Sequence, residues 1–248
     1  MDFSGMTAVV TGAASGMGRQ TALGFGKAGA NVALLDLDDD GARQVAREID
    51  STGVRAIVWK VDMADTSQVR ATLQAAHARF GRLDAVANVA AIYPTAKIAD
   101  VTEEFWDRIH SIDLRGVFFC CQEALRIMAA QGSGAIVNVA SGAAFRAVEG
   151  QVAYSAAKAG LVGMSRVLAF EFARKGVRVN VVAPGHTLSE GALATVSRER
   201  IEEMAATLVP GRFMTPEEPA NAIIWLCSGA ASGINGAIIN VNGGNYMP

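Results

Sequence analysis

TAVVTGAASGMGRQTALGFGKAGANVALLD, residues 7 to 36, decides how the rest of the chain is read. Thr7-Ala8-Val9-Val10 is a short apolar strand, TGAASGMG is a glycine loop over residues 11 to 18, and a helix-like segment runs on to Ala28. This order builds an anion site, because the first backbone N–H groups of a helix lack partners and its dipole favours negative charge there. Gly12 permits a tight turn, Gly16 lets backbone approach a pyrophosphate and Gly18 lets helix pack closely on strand, with Ser15 and Met17 on the same loop. A second strand, Asn31 to Leu35, ends on Asp36, where a carboxylate accepts hydrogen bonds from an adenosine ribose. A glycine triplet alone is weak and a lone strand-end aspartate is often a cap; at this spacing the two together make a dinucleotide fingerprint. Met17 and Leu37 offer no cation to a ribose 2′-phosphate and Asp36 repels one, so NAD is expected rather than NADP.

Outward from this unit the alternation continues. Helices are expected over Asp39 to Ser51 and Ser67 to Phe80, and strands over Arg55 to Val61 and Leu83 to Ala87. Glu103 to Ala129 reads as one long helix past Asp113 and Gly116. The strand Ala135 to Val139, a helix through Tyr154 to about Lys175 and the strand Val177 to Val182 follow. The helix Glu217 to Ser228 and the strand Ala237 to Val241 close the series. The pattern predicts an α/β fold in which residues 1–248 form a single domain around a doubly wound, mostly parallel, seven-stranded sheet of the Rossmann type. Asp62 with Met63 ends the third strand and Asn88 with Val89 and Ala90 the fourth, on the edge where adenine or ribose would lie, though each polar residue also suits a strand-end cap. Pro184-Gly185 breaks the series, and residues 186–212, with an amphipathic piece from Ser197 to Ala206, are expected to form a lid over the substrate.

SGAAFRAVEGQVAYSAAK, residues 141 to 158, carries the chemistry. Tyr154 and Lys158 are four residues apart at helical spacing and project from one face. An ammonium held beside a phenol favours the phenolate, which makes a tyrosine usable as acid or base near neutrality. Ser141 lies at the end of the run Ala135-Ile136-Val137-Asn138-Val139, so a buried strand delivers its hydroxyl to the sheet's carboxyl edge, where it polarises a substrate oxygen. Tyr-x-x-x-Lys is common on helix surfaces, and it is the glycine loop and Ser141 that give this one meaning.

A hydrophobic fraction of 51% over 248 residues is ample for a large core, and a formal charge of −2 without like-charge blocks excludes a polyanion-binding surface, so nucleic acid is not an expected partner. Cys120, Cys121 and Cys227 form neither a C-x-x-C pair nor a secreted framework, which fits a reducing cytoplasm. His77, His110 and His186 lack metal-ligand spacing, so no metal is expected. The N-terminus shows no export signal. The tail from Pro219 carries no charged side chain, but its glycines and asparagines argue for a buried helix, a turn and a strand rather than a membrane span.

In this order, the glycine loop, the acidic end of the second strand and Ser141…Tyr154-x-x-x-Lys158 resemble the short-chain dehydrogenase/reductase family over nearly the whole length. The resemblance implies that Tyr154 exchanges the proton, Lys158 assists it and holds the nicotinamide ribose, and Ser141 positions the substrate oxygen. It implies that Pro184-Gly185 turns beside the nicotinamide with Thr187 near its carboxamide. It further implies a homotetramer with the Asp107 to Ala129 and Val152 to Lys175 helices across a subunit interface. Three departures stand out. Asn88-Val89-Ala90-Ala91 places Cβ atoms where the family has glycine, and Asn242 replaces a commoner aspartate. Asp113 stands where the family has the asparagine of its proton relay, so a carboxylate is expected about 7 Å from the Tyr154–Lys158 pair.

The expected reaction is hydride transfer between a nicotinamide and a secondary alcohol or ketone, on a small to medium polar substrate that is cyclic or polyhydroxylated. Ala143, Phe145, Arg146, Glu149, Gln151, Ile92, Tyr93 and His186 are the candidate pocket residues, although Arg146 and Glu149 singly read as solvated loop charges. A structural or regulatory NAD-binding protein with little turnover is the alternative that Asp113 and Val89-Ala90-Ala91 motivate. An epimerase or dehydratase is weaker, because only about sixty residues follow Pro184.

Overall fold

In a computed structural model, which describes residues 1–188 and 197–247, seven strands form one parallel sheet. They are β1 (Thr7–Thr11), β2 (Asn31–Asp36), β3 (Ala56–Lys60), β4 (Ala85–Asn88), β5 (Gly134–Val139), β6 (Val177–Pro184) and β7 (Ile238–Val241). Their order is β3-β2-β1-β4-β5-β6-β7, so winding reverses between β1 and β4 and opens a crevice at their carboxyl ends. Thr11 pairs in register with Leu35 on one side and Asn88 on the other, which brings the glycine loop and the ends of β2 and β4 to one edge.

Strand side chains alternate between two cores. Val9, Val86, Ile136 and Val181 pack with α3 (Thr66–Phe80), α5 (Val117–Gln131) and α6 (Val152–Phe172). Val10, Ala87, Val137 and Val182 pack with α1 (Gly16–Lys27), α2 (Asp39–Asp50) and, near the C-terminus, α8 (Glu217–Cys227). With both faces covered, the strands are nearly continuous apolar runs, as β1 and β5 show. α7 (Arg198–Ala206) has no buried residue. No helix among the described residues is long and apolar enough to cross a membrane.

The boundaries fall within a few residues of expectation, with one exception that matters. The long helix expected over Glu103 to Ala129 is α4 (Glu103–His110), a widened π turn over Ser111–Gly116, and then α5. A Cβ on Gly116 would meet the Met63 carbonyl oxygen at 2.1 Å, so the turn presses against the end of the β3 connection. Apolar periodicity does not register this widening, a local change common at functional sites.

Candidate active site

Ser141, Tyr154 and Lys158 meet because β5 and α6 end and begin at the same edge of the sheet. Ala140 donates to the Val182 carbonyl at 2.8 Å, prolonging β5, and the chain then folds into a short 3₁₀ turn over Gly142–Ala144. Ser141 Oγ accepts the Ala143 N–H at 3.2 Å, which leaves the hydroxyl proton to donate to another oxygen. Tyr154 and Lys158 lie in the first two turns of α6 and line the same cleft as Ser141. Lys158 is only 1% exposed, donates to the Val139 carbonyl at 3.1 Å, and has Nζ 5.6 Å from the centre of the Tyr154 ring.

Asp113 is closer than its spacing suggested. Its Oδ2 stands 3.2 Å from Lys158 Nζ in a buried ion pair, not about 7 Å from the Tyr154–Lys158 pair. The π turn carries Asp113 inward, and Oδ1 accepts the Ile92 N–H at 3.0 Å. Burial pushes the Asp113 carboxyl above its ordinary value, against the pull of Lys158, the Ile92 N–H and His110. Asp113 is fully buried and does not line the cleft, and its ionic contact is with Lys158.

The cleft measures about 740 Å³ and runs from the glycine loop to the β5–α6 connection. Gly12, Ser15, Gly16, Met17, Gly18, Asp36, Leu37, Asp62, Met63, Val89, Ala90, Pro184, Gly185 and Thr187 all line it. Asn88 does not. Its amide is buried and donates to Asn138 Oδ1 at 2.8 Å, and Asn138 in turn donates to Ser165 Oγ at 2.9 Å. A strand-end position one residue earlier points its side chain into the sheet's face rather than over its edge. The altered Val89-Ala90-Ala91 segment keeps an ordinary backbone, since no non-glycine residue among those described has positive φ. Thr11 Oγ1 fastens it by accepting the Val89 and Ala90 N–H groups at 3.0 and 3.1 Å.

At the substrate end, Ile92, Tyr93, Ala143, Arg146, Gln151 and His186 line the cleft, whereas Phe145 and Glu149 do not. Phe145 stacks instead on Tyr246, with ring centres 5.9 Å apart, and the Tyr246 hydroxyl donates to Asn240 Oδ1 at 2.6 Å. Arg146 Nη2 donates to His186 Nε2 at 2.8 Å. Burial first, and the Arg146 charge second, hold the His186 imidazole below its ordinary pKa.

A family model described as enoyl-(acyl carrier protein) reductase matches residues 12–245. The chain belongs to the short-chain dehydrogenase/reductase family. It is 42% identical over 243 residues to cis-4-hydroxycyclohexanecarboxylate dehydrogenase of Sinomonas cyclohexanicum, covering 98% of this chain and 97% of that protein. It is 38% identical over 240 residues to D-threitol dehydrogenase of Mycolicibacterium smegmatis, covering 97% and 92%. Among solved structures, levodione reductase superposes with a TM-score of 0.92 at 32% identity, covering 98% of each chain. This short-chain dehydrogenase is therefore an oxidoreductase acting on a small molecule, and its family uses a nicotinamide dinucleotide, NAD or NADP.

The residues present fit such a dinucleotide. Gly12 has φ +67°, and a Cβ there would meet Ala90 Cα at 2.8 Å, so only glycine lets the loop and the β4 turn approach this closely. The Ser15 side chain does not cap α1, which leaves the helix's first N–H groups without a side-chain partner at the cleft. Asp36 Oδ2 accepts the Ala14 N–H at 2.8 Å and Oδ1 the Asp38 N–H at 2.9 Å, tying the loop to β2 while lone pairs remain for a ribose hydroxyl.

The short-chain dehydrogenase also has cleft residues that sequence reasoning passed over. Arg108 pairs with Asp62 at 3.4 Å at the cleft, one face of α4 meeting the segment just after β3. Phe213 and Pro216 close the opposite side, where Thr187 forms a single parallel bridge to Met214. One bridge leaves no periodic trace, so the sequence held no signal for it.

Proposed function

We propose that this short-chain dehydrogenase interconverts a secondary alcohol and a ketone with NAD as its cofactor. The observation that carries the proposal is that Ser141, Tyr154 and Lys158 share one cleft with the glycine loop and Asp36. Asp36 has no cation paired with it among the described residues, and Arg19, the cation nearest the loop in sequence, is held by both carboxylate oxygens of Glu48 at 3.0 and 2.9 Å. A ribose phosphate would therefore face a carboxylate without compensation, which favours NAD.

In the direction of oxidation, the Ser141 hydroxyl donates to the substrate oxygen and orients it. Tyr154 removes the hydroxyl proton as general base while the C–H electron pair leaves as hydride. A nicotinamide held in the cleft would provide the acceptor for that hydride or, in reduction, its source. Lys158, fixed by the Val139 carbonyl and by Asp113, keeps a positive charge beside the phenol and has a further N–H for a ribose hydroxyl. Asp113 sets how much of that charge Tyr154 experiences.

Relatives whose names specify a hydroxycyclohexane carboxylate and a threitol support a cyclic or polyhydroxylated alcohol. We place a cover over the substrate in residues 186–212, of which His186 and Thr187 line the cleft, while residues 189–196 lie outside the described residues. The homotetramer is supported by exposed Val167 and Phe170 on α6, the latter 86% exposed. The three buried free thiols suit a reducing cytoplasm.

The test is turnover of a panel of secondary alcohols with NAD or NADP, followed by absorbance of the reduced cofactor, for the unmodified protein and for Tyr154→Phe. We expect Tyr154→Phe to lower kcat by about 100-fold or more with NAD affinity kept within about three-fold. NAD binding without turnover of any alcohol would instead favour a structural or regulatory protein.

A further inference from the structure

Four cationic or anionic groups line the cleft besides Arg146, and each is already engaged. Lys158 is paired with Asp113, Arg108 with Asp62, and Asp36 accepts two backbone N–H groups. Arg146 differs. Its one recorded partner is the His186 imidazole, and among the described residues no carboxylate lies within ion-pair distance of it. Because Nη2 donates, His186 Nε2 must accept, so the ring is neutral with its proton on Nδ1. A charged guanidinium thus stands at the rim of the substrate end with no counter-charge among the described residues and with four further N–H donors.

Its position follows from the turn after Ser141. Phe145 and Arg146 both donate to the Gly142 carbonyl, at 3.0 and 3.1 Å, which folds the segment back on itself. A Cβ on Gly142 would lie 3.6 Å from Arg146 Nε, so the side chain lies over the residue next to Ser141. The remaining wall is apolar at Ile92, Ala143 and Val148.

We infer that Arg146 is an anion-recognition residue, and that the substrate is a secondary alcohol carrying a carboxylate away from the reacting carbon. This rests on the alcohol dehydrogenase reading given above and names its substrate class. A planar carboxylate matches the fork of one guanidinium. A phosphate dianion would call for a second cation, and the others lining the cleft are committed. His186 holds Arg146 in place without repelling it, as a neutral acceptor.

The experiment is calorimetric titration of the NAD-saturated protein with cyclohexanecarboxylate and, separately, cyclohexanecarboxamide, which differ in charge and little in shape. The unmodified protein should bind the carboxylate about tenfold more tightly, a modest ratio because Arg146 is exposed to solvent. Arg146→Gln should bring the two within about threefold, and Arg146→Lys should keep part of the preference. Equal binding of both ligands by the unmodified protein, binding of neither, or an equal loss of both in Arg146→Gln overturns the inference. Carboxylate binding without turnover of any alcohol defeats the reaction proposed above and leaves the anion site standing. Turnover of neutral alcohols with no carboxylate preference does the reverse.

Discussion

Asp113 Oδ2 lies 3.2 Å from Lys158 Nζ, with the two side chains 0% and 2% exposed. The pair is ionic in distance, but Oδ2 makes no aligned hydrogen bond, and only Oδ1 is anchored, by Ile92. A carboxylate this near cancels much of the ammonium's field at Tyr154. Asp113→Asn removes that cancellation and keeps the shape. The acid limb of kcat/KM for alcohol oxidation should then move about one unit to lower pH, with the plateau changed less than about tenfold. A limb moving to higher pH would contradict the charge relationship.

The same aspartate makes stability depend on pH. Its carboxyl is raised by burial, so the native chain holds this proton at a pH where the unfolded chain has released it. Its contribution is fully present below the unfolded value of about 3.8 and is lost as pH rises through the native value. Asp113→Asn lacks that loss. The Tm difference between variant and unmodified protein should therefore shift in the variant's favour as pH rises above the unfolded value of about 3.8, as thermal scans at matched ionic strength would show.

Cofactor choice should follow Asp36. A preference for NAD of about 100-fold in kcat/KM corresponds to about 2.7 kcal/mol and is what an uncompensated carboxylate at a ribose phosphate can supply. Asp36→Ala should narrow the gap while also weakening NAD, since Ala14 and Asp38 lose their acceptor. Equal use of both cofactors by the unmodified protein would refute the assignment.

Two glycines of the loop should fail in different ways. A Cβ on Gly18 would stand 1.8 Å from the Gly12 carbonyl oxygen, so Gly18→Ala should unfold the loop and lower Tm even without cofactor. A Cβ on Gly16 meets nothing within 4 Å, and its φ of +52° costs about 1 to 2 kcal/mol. Gly16→Ala should remain folded by circular dichroism and lose dinucleotide affinity by about tenfold or more, measured by fluorescence titration.

His186 should report on Arg146. Its pKa is depressed by burial first and by the neighbouring cation second, so Arg146→Gln removes only the lesser cause. The His186 titration midpoint, followed by NMR, should rise in that variant without reaching the ordinary value. A midpoint that falls would mean that the guanidinium does not face the ring as the 2.8 Å contact requires.

The sheet and its edge were legible because buried parallel strands are short apolar runs and because glycines at Gly12, Gly16 and Gly18 answer to one backbone shape. Tyr154 and Lys158 were legible because helical spacing is local. What escaped were relationships between segments distant in sequence. The π turn that brings Asp113 to Lys158 changes hydrogen bonding without changing apolar periodicity. Asn88 turned out to belong to a buried amide relay with Asn138 and Ser165, and nothing adjacent to it announces such partners. Arg108 and Phe213 reach the cleft from a helix face and a single bridge, neither of which has a sequence signature.

Tyr246 lies under the catalytic turn: its ring stacks on Phe145, and a methyl at Gly142 would meet its Cε1 at 2.8 Å. Tyr246 is thus part of the wall against which the turn after Ser141 is set. For anyone preparing the protein, the two ends are not equivalent. Met1 is 61% exposed and does not line the cleft, so a purification tag is best carried there. Trimming that removes Tyr246 would strip the ring that backs Phe145 and Gly142, and kinetic constants from such material would describe a loosened catalytic turn.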